Sequence, residues 1–217
     1  MGQNASQRAG DIRFIGALMG RYLLASRKNR SHRVQVFACR LQSISPQLMV
    51  ASAPVLGAPG EELSANFEPF GSVRGRVERL IDGGFSMAIE TTAEERDLLI
   101  KRIGWYKKRV FHGVADKRAH RRVMPRDPRS TILFADGTRL PCLIIDMSRS
   151  GAALSADVQP ELGTPLAVGR VVARVVRWLD VGFAVQFMVE QEPDRLEDRL
   201  HMVDAQLLAL GQRELGA

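Results

Sequence analysis

A chain of 217 residues, 45% apolar and 25% charged, has the make-up of an ordinary globular protein and the length for one large domain or two of about a hundred residues. Its balance is basic, with 31 Lys and Arg against 24 Asp and Glu and a net charge of +7, which favours an anionic partner, although solubility alone would also produce such an excess. The two cysteines, Cys39 and Cys142, sit in apolar runs without CxxC or histidine partners, which argues against a disulfide framework or a zinc site and for buried thiols in a reducing compartment.

The N-terminal apolar patch FIGALMGRYLLA (14–25) is broken by Gly16, Gly20 and Arg21 and is too short to span a bilayer. With no small-residue cleavage site behind it, the expectation is a cytoplasmic protein without a membrane span. Beyond it the chain begins a pattern that it later repeats. RVERLIDGGF (76–85) aligns with RVVRWLDVGF (174–183) at six identities in ten positions, and CRLQSIS (39–45) lies over CLIIDMS (142–148). The offset changes from 103 to 98 between these blocks, which requires an insertion in the first copy within 54–72.

A helix is expected after the first copy, in TTAEERDLLIKRIGWYKKR (91–109): a threonine precedes a glutamate three residues on, as in a capping box, and basic residues gather at the far end. Residues 110–126 then read as a polar, basic linker. The second copy opens with a β-hairpin, STILFADGTRLPCLIID (130–146), turning at Asp136-Gly137. AALSA (152–156) is a short strand, and Pro160 and Gly163 mark the next turn. PLAVGRVVARVVRWL (165–179) reads as one long strand with a bulge or bend at Gly169, followed by the strand GFAVQFMV (182–189). A closing helix over 192–210 carries an amphipathic stripe of Leu196, Leu200, Val203 and Leu207, fit to pack on its own barrel or to dimerise. Short strands with local turns predict an all-β protein of two small antiparallel barrels or sandwiches, each followed by an α-helix. The domains expected are 1–110, a basic ligand-binding linker 111–126, and 127–217, in a monomer or homodimer.

No catalytic motif is present. The four histidines lack nucleophile or carboxylate partners at a recognised spacing, and Asp82 and Asp180 fall in equivalent turns before Gly-Phe. No catalytic or metal-ligating residues and no cofactor are expected. Two other segments belong together. Arg121, Arg122 and Arg126 cluster around Pro125, which holds the preceding residue extended, and guanidiniums in such an array can fan around a phosphate or stack on a purine. The hairpin returns DMSRSG (146–151) to their neighbourhood, bringing an acceptor (Asp146), a hydroxyl (Ser148) and a glycine that permits close backbone approach (Gly151). A carboxylate can receive the N1–H and N2–H of guanine, so the pair of motifs suits a phosphorylated guanine ligand.

Arg122-xxx-Arg126 followed by Asp146-x-Ser148-xx-Gly151, with VGFAVQF (181–187) as a closing strand, resembles the PilZ domain family over about 118–190. The resemblance implies a six-stranded antiparallel barrel that binds cyclic di-GMP. The arginines would grip phosphates and guanine edges, and Asp146, Ser148 and Gly151 would cradle a guanine. An arginine directly before RxxxR, as Arg121 is here, goes with an intercalated ligand dimer, and Arg118 is an additional candidate contact. The first copy departs from the pattern: Ser43, Ser45 and Leu48 replace the second motif and no RxxxR precedes its first strand, which implies a barrel without the site. Ligand binding across a linker implies a switch that orders 113–126 and is read by a protein target, with the flagellar motor or switch and exopolysaccharide machinery as the outputs the resemblance offers. The competing readings are a basic nucleic-acid-binding barrel, which leaves DMSRSG unexplained and lacks interleaved aromatics, and a PilZ-like adaptor that has lost its ligand.

Overall fold

The computed structural model describes residues 12–28, 34–109 and 123–201. The chain divides into two compact units, each built around one closed antiparallel barrel of six strands. The first barrel comprises β1 (Phe14–Lys28), β2 (Val34–Ile44), β3 (Leu48–Ser52), β4 (Glu62–Phe67), β5 (Gly71–Ile81) and β6 (Gly84–Ile89). Helix α1 (Ala93–Arg109) follows it. The second comprises β7 (Arg129–Phe134), β8 (Arg139–Ser148), β9 (Gly151–Ala156), β10 (Pro165–Val168), β11 (Val171–Leu179) and β12 (Gly182–Phe187), followed by helix α2 (Pro193–Leu200).

The repeat is visible in the topology. Going round the first barrel the strands run β1-β2-β3-β6-β5-β4, and round the second β7-β8-β9-β12-β11-β10, which is the same path. The register agrees residue by residue. Val77 faces Met87 and Arg79 faces Ser86 across a bulge, while Val175 faces Val185 and Arg177 faces Ala184 across the equivalent bulge. The change of offset falls in one hairpin. Glu62 faces Arg76 in the first barrel and Pro165 faces Arg174 in the second, so the β4–β5 hairpin holds the extra residues of the first copy.

Alternation along the strands fills both cores. On β11 the odd residues Val171, Ala173 and Val175 point inward and the even ones are exposed, the period of two that a half-buried strand requires. The core of the second barrel gathers Ile132, Ile144, Leu154, Val168, Phe183 and the α2 residues Leu196 and Leu200, so α2 packs on its own barrel. In the first barrel Tyr22 meets Phe85 with ring centroids 5.5 Å apart. Helix α1 closes one end through Tyr106, which lies 5.3 Å from Phe14 and 5.2 Å from Phe70. The helix starts with the capping box expected of Thr92 and Glu95: the threonine N–H donates to the carboxylate at 2.9 Å, and the glutamate N–H to the hydroxyl at 3.2 Å.

One predicted strand is two. Residues 165–179 split into β10 and β11 at Gly169-Arg170, where Gly169 has φ +56° and the strands pair as a hairpin, Val168 facing Val171. The glycine is required twice over, since a Cβ there would lie 2.5 Å from the carbonyl oxygen of Arg199 in α2. The Asp136-Gly137 turn is as expected, with Gly137 at φ +86° and the Thr138 N–H donating to the Asp136 carboxylate at 2.8 Å. The described helix ends at Leu200; the rest of the helix expected over 192–210, with Val203 and Leu207, and the linker before Val123, with Arg118, Arg121 and Arg122, lie outside the described residues. Both cysteines are free and buried. Among the described residues no helix is long and apolar enough to cross a membrane.

Candidate ligand site at the end of strand β8

Strand β8 reaches the DMSRSG segment through a bulge between Ile144 and Asp146. Ser148 then faces Gly151, so Arg149-Ser150 is a two-residue hairpin turn. Asp146 and Ser148 are half-buried, Met147 is buried and Arg149 is exposed. Ser148 donates from its hydroxyl to the Gly151 carbonyl at 3.3 Å, closing the turn. In the first barrel the hydroxyl of Ser45 does the same to the Leu48 carbonyl at 3.2 Å, and also receives the Leu48 N–H at 3.1 Å. The serine therefore serves the turn in both copies. What distinguishes the second copy is Asp146 in place of Ser43 and Gly151 in place of Leu48.

Gly151 also has a reason inside the barrel. It pairs with Gln186 of β12, and a Cβ on it would lie 2.3 Å from the Val185 carbonyl oxygen. No side chain fits there unless the strands part.

The chain leading into β7 comes back along β8. Val123 and Met147 form an antiparallel bridge and exchange both backbone hydrogen bonds at 2.9 Å. The described end of the RxxxR segment therefore lies directly beside the DMSRSG strand end. Pro125 and Pro128 are buried, and the Pro128 carbonyl accepts the N–H of Ile144 at 2.6 Å. These contacts anchor the backbone on either side of Arg126, whose side chain is exposed. Its N–H, with that of Asp127, donates to the carboxylate of Glu197 in α2. Asp127 in turn binds Arg129, at 2.6 Å for the shortest pair, and lies 3.5 Å from His201. Burial pushes the Asp127 carboxyl up, but hydrogen bonds and charge from Arg129, with the charge of His201, outweigh it and hold the carboxyl below its ordinary value.

Of the residues singled out in the sequence, Arg126, Asp146, Ser148 and Gly151 occupy two adjacent antiparallel segments at one end of the barrel; Arg118, Arg121 and Arg122 fall among the residues outside the description. Sequence reasoning missed Glu197, which receives the N–H groups of Arg126 and Asp127 from some 70 residues away. It also missed Arg149, which pairs with Glu190 at 3.4 Å while its carbonyl accepts the N–H of Gln191 at 2.9 Å. Beyond Glu190 an open depression of about 450 Å³ is lined by Glu190, Glu192, Arg195 and Arg199, with both signs of charge. Among the described residues no group of three or more His, Cys, Asp or Glu could hold a metal ion.

Residues 116–202 match the family model described as the PilZ domain. None of the curated proteins matches the chain. Among solved structures, the chain is similar to the inhibitor of motility MotI/DgrA of Bacillus subtilis, at 13% identity and a TM-score of 0.27 over 94% of this chain and 100% of that one. It is similar to the PlzA protein of Borreliella burgdorferi in complex with c-di-GMP, at 12% identity and a TM-score of 0.23 over 97% of this chain and 90% of that one. YcgR of Escherichia coli in complex with c-di-GMP matches at 13% identity and a TM-score of 0.26 over 91% and 85%.

Proposed function

We propose, for a chain whose second barrel belongs to the PilZ domain family, that it is a receptor for cyclic di-GMP and that the ligand sits between the RxxxR segment and the DMSRSG strand end. The observation that carries this reading is the bridge between Val123 and Met147. The described end of the RxxxR segment, Val123 to Arg126, thus runs beside the strand end that carries Asp146 and Ser148, which supports joining the two halves of the motif into one site. Arg122 and Arg126 supply planar forks of donors for phosphate oxygens and guanine acceptors. Asp146, half-buried at the strand end, supplies the complementary acceptor for the guanine N1–H and N2–H. Arg121 adds a third fork and favours two stacked ligand molecules over one, with Arg118 as a further contact.

Binding fixes the conformation of the linker, and a protein target in motility or exopolysaccharide output reads the fixed form. The differential contacts that such a switch requires are those the arginines make only with ligand present. The first barrel keeps the fold and the serine turn without the carboxylate, and takes no part in the site.

Calorimetry with cyclic di-GMP tests this. The wild-type chain is expected to bind, and Arg122→Ala and Asp146→Ala to lose binding by at least about tenfold, the loss of a charge-assisted contact. No heat with the wild type, or equal binding by both variants, would overturn the reading. Two ligands per chain are expected from Arg121, and one in the Arg121→Ala variant.

A further inference from the structure

The two barrels share one path and one register, so each is a control for the other. On the outer face of β4, β5 and β6 the first barrel carries a network of charges. Arg76 binds Glu62 at 2.7 Å and Glu90 at 3.2 Å, and Arg74 pairs with Glu95 at 3.7 Å. Glu78 receives the hydroxyl of Ser86 at 2.9 Å. Glu62, Arg74, Arg76 and Glu90 have counterparts in the second barrel fixed by register and backbone bonding, and Glu78 has one inside the equivalent bulge. Glu62 faces Arg76 as Pro165 faces Arg174, and the Glu90 N–H donates to the Arg74 carbonyl as the Met188 N–H donates to that of Val172.

At those counterparts the charges are gone. Val172 replaces Arg74, Val176 replaces Glu78, Met188 replaces Glu90 and Pro165 replaces Glu62. Closure of the barrel does not require the change, because the first barrel closes with the charged set. Nor does the second barrel's own core cover these residues: Val172 is 58% exposed, Val176 42% and Met188 61%, and Val189 beside them is 71% exposed. Single exposed apolar residues are ordinary, but a group of them clustered on one sheet face marks a surface that another body covers. One charge has been kept. Arg174 matches Arg76 and is exposed, but both positions that give Arg76 its carboxylates now hold Pro165 and Met188, which cannot pair with a guanidinium.

We infer that the outer face of β10, β11 and β12 docks a protein surface that presents a carboxylate to Arg174 within a ring of apolar side chains over Val172, Val176 and Met188. Among the described residues Arg174 forms no ion pair and faces the side-chain amide of Gln186 across the strand pair, with Val172, Val176 and Met188 around it. Such an arginine fits a bidentate acceptor in a fixed place, which a folded or peptide partner supplies. A lipid surface fits less well, since short branched valines on a flat sheet do not reach into an interface as long aromatic and aliphatic side chains do. This inference does not rest on the ligand site and stands or falls separately from it.

The probe is a library of short random peptides selected on the full-length chain and counter-selected on the Val172→Arg/Met188→Glu variant, which has the first barrel's residues at those positions. Enriched peptides are expected to carry Asp or Glu beside apolar residues, and to bind Arg174→Glu about tenfold or more weakly, the loss of one charge-assisted contact. Exchanging the acidic residue of the peptide for Lys is expected to restore binding to that variant. No enrichment, or peptides that bind wild type and both variants equally, would overturn the inference. So would a wild-type dimer in sedimentation that the double variant abolishes, since the occupant is then a second copy. Adsorption of the wild type, but not of the double variant, to phosphatidylglycerol vesicles would overturn it in favour of a membrane. Should the double variant melt differently from the wild type, Arg174→Gln and Arg174→Glu alone carry the comparison.

Discussion

Glu197 of α2 accepts the backbone N–H of Asp127 at 3.2 Å and that of Arg126 more closely still. A single carboxylate on the closing helix thus holds the backbone that presents the second arginine of the RxxxR segment. Bonds to a charged acceptor are each about twice as strong as neutral ones. Glu197→Ala is expected to cost about 1–2 kcal/mol of stability, allowing for partial exposure, and to weaken cyclic di-GMP binding severalfold without abolishing it. Thermal melting and calorimetry on the same preparation read both. Wild-type affinity in a chain that melts lower would show that the helix supports the barrel and not the site.

The serine turn separates structural from ligand roles. Because Ser45 and Ser148 close equivalent turns, Ser45→Ala and Ser148→Ala should each lose about 1 kcal/mol from their own barrels. Asp146→Ala should reduce ligand affinity greatly, and its melting curve reads separately what the half-buried carboxylate gives the barrel. Titrating ligand into all three variants, with melting curves alongside, distinguishes the cases; a full loss of binding in Ser45→Ala would break the assignment of the site to the second barrel.

Gly151 predicts a confusion that experiment can avoid. A Cβ there would meet the Val185 carbonyl at 2.3 Å, so Gly151→Ala is expected to destabilise the second barrel by about 1–3 kcal/mol, the range for overpacking. Loss of ligand binding in that variant would therefore say nothing of a direct contact unless the melting curve were unchanged. An unchanged melting midpoint would contradict the clash.

How far these relationships can be read in advance depends on their range in the chain. The repeat, the Asp136-Gly137 hairpin and the Thr92–Glu95 cap were legible, because each is written in residues that touch their neighbours. The break at Gly169-Arg170 was not. It interrupts an apolar run that continues with the same period on both sides and lacks the Asn-Gly or Asp-Gly signature; what imposes it is the α2 end packed against Gly169. The reasoning that Gly151 is explained by a ligand missed the β12 carbonyl behind it for the same reason. Glu197 was illegible because its partners lie about 70 residues away. That Arg174 has lost both carboxylate positions of Arg76 emerges only from register, since Glu62 and Pro165 align at one offset and Arg76 and Arg174 at the other.

The thiols offer a probe of both barrels. Burial pushes both cysteines up, Cys142 to about 12 with a hydrogen bond from Ser130 acting the other way, and Cys39 further. Since the thiolate is the reactive form, neither should react with a disulfide reagent in the native chain at pH 8, and both should react at once after denaturation. Fast modification of either cysteine in native conditions would contradict the burial.

Asp127 gives the ligand segment an acid limit. Its carboxyl is held below the ordinary 3.8 because the Arg129 contacts and the His201 charge outweigh the penalty of burial. A carboxylate depressed in the folded chain contributes stability that is fully present above the unfolded value, and that is lost as pH falls through the folded one. Asp127→Asn should therefore melt below its parent at neutral pH, by a gap that holds down to about pH 4 and closes as the acid goes further. The comparison is made in a His201→Gln background, so that the Arg129 pair alone is read. Melting midpoints of the two chains between pH 7 and pH 2 test this, and a gap that stays constant across that range would show that the Asp127–Arg129 pair contributes nothing to stability.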